Sequence, residues 1–104
     1  MNFFAYNRMG ESIHRPSLQV MKELLASVSS NDPEHPDVSL TTEDGWCLSF
    51  HPSQIVIFEN VETGEGPWHL KRASRDSALE LWQQLSQGKL AELRALPWTP
   101  GYGA

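Results

Sequence analysis

One cysteine, Cys47, stands in 104 residues, so an intramolecular disulfide is excluded and any thiol chemistry falls to a single side chain. Long apolar runs are missing too: nothing approaches the ~20 residues needed to span a bilayer. The opening MNFFAYNR has no basic stretch leading into a long apolar segment and a small-residue cleavage site, so it is not built as an export signal. These absences together give the expectation of a cytoplasmic protein. Basic residues are scarce, eight against thirteen acidic, for a net charge of -5. Nucleic-acid backbones need cationic surface, so direct DNA or RNA binding is not expected. A partner with a basic surface is the better electrostatic match.

Catalytic and metal-binding signatures are equally sparse. The histidines are His14, His35, His51 and His69; none forms an H-x-x-x-H pair, and Cys47 has no C-x-x-C partner. His35, with Asp32, Glu34 and Asp37, is the best local grouping, but its setting is that of a solvated acidic loop, so no metal and no cofactor is expected. Ser17, Ser49 and Ser53 lack the G-x-S-x-G turn that exposes a nucleophile. Gly64 and Gly66 lie in a turn with no following Lys-Ser pair, so they are no phosphate loop. Cys47 sits mid-strand between Trp46 and Leu48, where a small packed residue is expected rather than a nucleophile. No catalytic residue is therefore assigned. Glu59, His51 and His69 are kept as the side chains a small enzyme would have to use.

Hydrophobic residues make up 39% and charged residues 20% of the chain, a composition that folds and is neither disordered nor membrane-spanning. The length fits one α+β domain over residues 1–104. VSLTTEDGWCLSF, residues 38–50, alternates twice around a turn. A three-residue loop, Glu43-Asp44-Gly45, places Leu40 opposite Leu48 and Val38 opposite Phe50, with Gly45 left-handed. A four-residue loop, His51 to Gln54, then places Ile55 opposite Phe50 and Ile57 opposite Leu48, which puts Glu59 on the buried side next to Trp46. Met1–Tyr6 reads as a first strand and Asn7–Arg15 as a polar connection. Trp68 to Arg72 is the last strand, and residues 98–104 are an irregular tail. Pro16 is placed in the first turn of a helix, on which Leu18, Met21, Leu24, Leu25 and Val28 form one stripe. Ala78, Leu81, Trp82 and Leu85 form another, from an N-cap at Ser74 to Gly88. Lys89 to Leu96 adds a short helical turn before Pro97. Ser29 to Asp37 is a proline-containing loop. The expected order is β-α-β-β-β-β-α: an antiparallel meander of four to five strands with two amphipathic helices packed on one face.

Four tryptophans are present. Trp46 and Trp82 fall on buried faces, whereas Trp68 follows a glycine-rich turn and Trp98 precedes the tail; these two, with Phe58, are candidate interface anchors. The turn carboxylates Glu43, Asp44, Glu62 and Glu65 complete the expected partner-binding set.

From Gly45 to Trp98, the segments GWCLSFHPSQIVIFENV, GPWHL, LELWQQLSQG and LRALPW resemble small bacterial immunity proteins of polymorphic toxin systems. The resemblance implies a cytoplasmic, non-enzymatic protein that binds a cognate toxin domain and occludes its active site, with no catalytic residues and no cofactor. Two other functions are compatible with the residues: a small enzyme or ligand-binding domain with a pocket between sheet and helices, and a subunit of a homo-oligomer joined through a strand edge.

Overall fold

A computed structural model describes residues 2–28 and 37–103. The metal grouping of His35, Asp32 and Glu34, and nearly all of the proline-containing loop, lie outside the described residues. The chain forms β1 (Phe3–Tyr6), β2 (Ser12–His14), α1 (Leu18–Ser27), β3 (Val38–Thr42), β4 (Trp46–Phe50), β5 (Val56–Asn60), β6 (Trp68–Leu70), α2 (Arg75–Ser86), α3 (Leu90–Arg94) and β7 (Thr99–Pro100). The fold is α+β. The seven strands of the described residues make one antiparallel sheet in the order β2-β1-β3-β4-β5-β6-β7.

The central hairpin has the expected register: Leu40 opposes Leu48 and Val38 opposes Phe50. Gly45 has φ +95°, and a Cβ there would lie 2.5 Å from Asn60 Oδ1. Both the turn and the crowding therefore require glycine at this position. Side chains alternate across a strand, so one row on the helix side runs Ala5, Leu40, Leu48, Phe58, Trp68 across five strands. Against it α2 buries Ala78, Leu81, Trp82 and Leu85, and α1 buries Met21, Leu24 and Leu25. Trp82 is fully buried and its indole N–H donates to the Leu48 carbonyl at 3.1 Å, so the largest side chain of the core leaves no polar atom unpaired.

Helix ends follow the local chemistry. Ser17 and Ser74 cap α1 and α2, accepting from Val20 N and Ser77 N, and Asp76 lies in the first turn of α2. The α2 C-terminus closes through Gly88 at φ +74°, with Gly88 N bonded to Leu85 O and Lys89 N to Gln84 O, the paired bonds of a Schellman cap. At the C-terminus of α1, Val28 N bonds Leu25 O, and Arg75 of α2 caps this end from outside, donating to the carbonyls of Leu25 and Val28 at 3.2 and 3.3 Å.

Several sequence expectations are corrected. The connection Asn7–Arg15 is a hairpin. Asn7 Oδ1 accepts from Met9 N and Glu11 N, Gly10 turns at φ +80°, and β2 pairs with β1. The tail contributes β7, an edge strand beside β6. Pro16 precedes the helix rather than standing in its first turn, and Leu18 is 44% exposed, outside the buried stripe, because the helix begins at Leu18, one past its Ser17 cap. Most consequential is the loop after β4. Gln54 takes a left-handed turn at φ +62° and His51 N bonds Ile55 O, so the loop consumes one more residue than expected. Val56 rather than Ile55 opposes Phe50, and Phe58 rather than Ile57 opposes Leu48. A one-residue shift turns every side chain over. Val56 and Phe58 enter the core, while Ile57 and Glu59 go to the other face, Glu59 opposite Cys47 rather than beside Trp46.

Candidate functional site

The register of β5 settles the surroundings of both candidate surfaces. On the face away from the helices, the row Phe4, Thr41, Cys47, Glu59 runs beside the row Tyr6, Ser39, Ser49, Ile57, His69. The three side chains retained for chemistry belong to this side. Ser49 Oγ lies 3.1 Å from His51 Nε2, and Glu59 accepts from the Tyr102 hydroxyl at 3.2 Å. His69 is buried with Nδ1 2.8 Å from Gly101 O. Burial pushes the Cys47 thiol up, an effect reinforced by the nearby Glu59 charge and opposed by hydrogen bonds with Thr41 and Ser39. A protonated, half-buried thiol is a poor nucleophile. The Ser49–His51 pair has no hydrogen-bonded carboxylate behind His51 among the described residues, and Ser49 sits mid-strand between two paired neighbours. Its backbone therefore offers no free N–H pair for an oxyanion. Between sheet and helices, where the small-enzyme alternative would place a ligand pocket, Trp82, Phe58, Leu40, Leu48 and Leu85 are all fully buried and fill the space along the central strands.

The second surface is the end of the sheet where two acidic turns meet. Asn60 joins them. Its amide donates to Asp44 O at 3.1 Å and its Oδ1 accepts from Glu62 N and Thr63 N, both at 2.9 Å. The backbone adds Val61 N to Gly45 O. Glu43, Asp44, Glu62 and Glu65, assigned to two separate hairpins in the sequence, are thus held at one end, all exposed, with Val61 61% exposed among them. Asn2 donates to Glu43, and the Thr42 hydroxyl to Asp44. Gly66 lets the second turn lie directly on the sheet: a Cβ there would stand 3.0 Å from Phe58 O and 3.1 Å from Trp68.

The predicted anchors Trp68 and Trp98 are brought together beside these turns. Both are half-buried and pack on Phe58, whose ring is 5.8 Å from Trp68, 5.1 Å from Trp98 and 5.0 Å from Trp46. Phe58 itself is fully buried, so it is the floor of the cluster and not an exposed anchor. Trp98 is fixed by its indole N–H bonding Leu93 O at 2.7 Å. Phe58, Trp68, Arg94, Leu96, Trp98 and Pro100 enclose an open cleft of about 270 Å³. Arg94 was not singled out in the sequence. It bonds Glu65 at 3.4 Å and lies 5.3 Å from the Trp46 ring centre. A lone arginine on a five-residue helix carries no distinguishing sequence signal; only the fold shows which turn it faces.

No family model, curated protein or solved structure matches the chain. Among the described residues no helix is long and apolar enough to cross a membrane, and no group of three or more His, Cys, Asp and Glu could hold a metal ion.

Proposed function

We propose that this chain is a non-enzymatic binding protein whose working surface is the acidic sheet end with its tryptophan-lined cleft, and whose partner is a protein with a basic face. In the form that the immunity-protein resemblance suggests, the partner is a toxin domain whose active site is occluded. The observation that carries this reading is the gathering, through Asn60, of four exposed carboxylates next to a cleft walled by half-buried Trp68 and Trp98. Interfaces are organised in this way, with aromatic anchors at the centre and charges around them that steer association and select the partner.

The test is co-expression of the full chain with the product of the adjacent gene, followed by co-purification and growth rescue. Binding should weaken steeply with salt and fall at least about tenfold, roughly 1.4 kcal/mol, when Glu43, Asp44 and Glu62 are changed to Gln, Asn and Gln. Absence of both complex and rescue would remove the immunity role. A complex indifferent to the three substitutions would place the working surface elsewhere.

A further inference from the structure

We infer that the tryptophan-lined cleft is a seat for an arginine side chain of the partner, and that Arg94 is the chain's own guanidinium standing at that seat until the partner arrives. The inference rests on the binding function proposed above and adds the chemistry of what enters the cleft. Two features support it. The first is the wall: Trp68, Trp98 and Leu96 offer flat apolar surface over a floor of Phe58. A planar, weakly hydrated cation stacks on such surface better than a compact ammonium does. The second is charge. Glu65, in the turn before Trp68, already holds a guanidinium, that of the cleft-lining Arg94, which also lies against the Trp46 ring. The chain thus displays the recognition chemistry on itself.

Arg94 is held loosely. Both members of the pair are about half exposed, 50% for the Arg94 side chain and 44% for that of Glu65, at 3.4 Å. An exposed pair at that length is weak and screened by salt, so it yields to a better-placed guanidinium. The turns at this sheet end add Glu43, Asp44 and Glu62, and among the described residues Arg94, paired with Glu65, is the one basic residue lining the cleft. An anionic or neutral occupant would forgo that field, and an anion would be repelled by it.

The experiment uses the full chain labelled with nitrogen-15. The four indole N–H signals are followed while capped Gly-Arg-Gly is added, with capped Gly-Lys-Gly, Gly-Leu-Gly and Gly-Glu-Gly in parallel. Trp82, buried and bonded to Leu48 O, is the internal control. Saturable shifts are expected at Trp68, Trp98 and Trp46 with the arginine peptide, smaller ones with lysine, and none with leucine or glutamate. Arg94→Ala should tighten the arginine peptide by about threefold or more, because the competing guanidinium is gone, and Glu65→Gln should weaken it by a similar factor. Both substitutions fall on exposed side chains and leave the core intact. Unmoved indoles, equal shifts with the leucine peptide, or an Arg94→Ala variant that binds no tighter would each overturn the seat. The variant neutralised at Glu43, Asp44 and Glu62 separates the two proposals. A protein partner lost on neutralisation, with indoles unmoved by the arginine peptide, sinks the seat alone. A seated peptide with no basic protein partner sinks the binding function and leaves the seat.

Discussion

The Asn60 side chain donates to the Asp44 carbonyl at 3.1 Å across sixteen residues of sequence, so one amide holds the β3–β4 turn against the β5–β6 turn. Asn60 is 3% exposed, and its oxygen accepts two further backbone N–H groups. Asn60→Ala leaves three backbone groups without their partner and should cost roughly 2–3 kcal/mol. Asn60→Asp keeps the acceptor and loses the donor, so its loss should be smaller. Urea unfolding would show a lowered midpoint at unchanged slope. A loss within about 0.5 kcal/mol for the alanine variant would mean that the turns are held by the backbone alone.

Arg75 ties the two long helices end to end. Its guanidinium reaches the carbonyls of Leu25, in the last turn of α1, and of its C-cap Val28, where a helix C-terminus carries partial negative charge. Arg75→Ala should destabilise by about 1–2 kcal/mol, since charged hydrogen bonds of this kind are worth more than neutral ones but the side chain is partly solvated. Arg75→Lys should recover only part of that, because an ammonium cannot fork to two carbonyls in a fixed plane. Amide exchange of the α1 C-terminal turn should accelerate in the alanine variant while the centre of α2 is unaffected.

The central hairpin was legible in the sequence because period-two alternation and the Glu43-Asp44-Gly45 turn agree on one register. Both long helices were legible because a stripe at helical spacing, a serine cap and a terminal glycine coincide at α2, and because a stripe follows Pro16 at α1; the Ser17 cap of α1 came only with the fold. β5 was misjudged for a physical reason. IVIFENV alternates equally well in either register, so only loop length decides, and a left-handed Gln54 carries no compositional mark of the kind a glycine would. The edge strands were hidden because three residues around Ile13 and two at Thr99–Pro100 are too few to show a period. Of the site, the four carboxylates and two tryptophans were named from composition and turn position. Their convergence depends on Asn60 and on Gly66, and Arg94 could be placed only once α3 was seen beside the second turn.

The C-terminal strand continues onto the outer face as a strap. Gly101 N bonds Pro67 O, Gly101 O faces His69 Nδ1, and Gly103 lies on the His69 ring. At Gly103 φ is +82°, and a Cβ would stand 2.9 Å from His69 Cδ2. Gly103→Ala should therefore lift the end of the strap and not the fold. The expected result is faster amide exchange at Gly101 and little change, under about 1 kcal/mol, in global stability. Unchanged exchange at Gly101 would show that the strap is held by β7 alone.

Cys47 sets the alkaline behaviour. Its proton is held more tightly in the folded chain, first because burial disfavours the thiolate and then because Glu59 and Asp37 are negative. A raised folded value means that the contribution to stability is complete below the ordinary thiol value of about 8.5. Above it the unfolded chain ionises first, and stability falls until the folded thiol also ionises. Tyr102 is raised in the same direction by Glu59, so its share begins higher, near the ordinary phenol value of about 10. Cys47→Ala should flatten the first part of the alkaline loss and Tyr102→Phe the later part, measured as unfolding midpoints at a series of pH values. At pH 8 the folded thiol should also react several-fold more slowly with an aromatic disulfide reagent than the urea-unfolded chain. An alkaline loss with the same onset and slope in Cys47→Ala would mean that other groups, outside this sheet face, govern it.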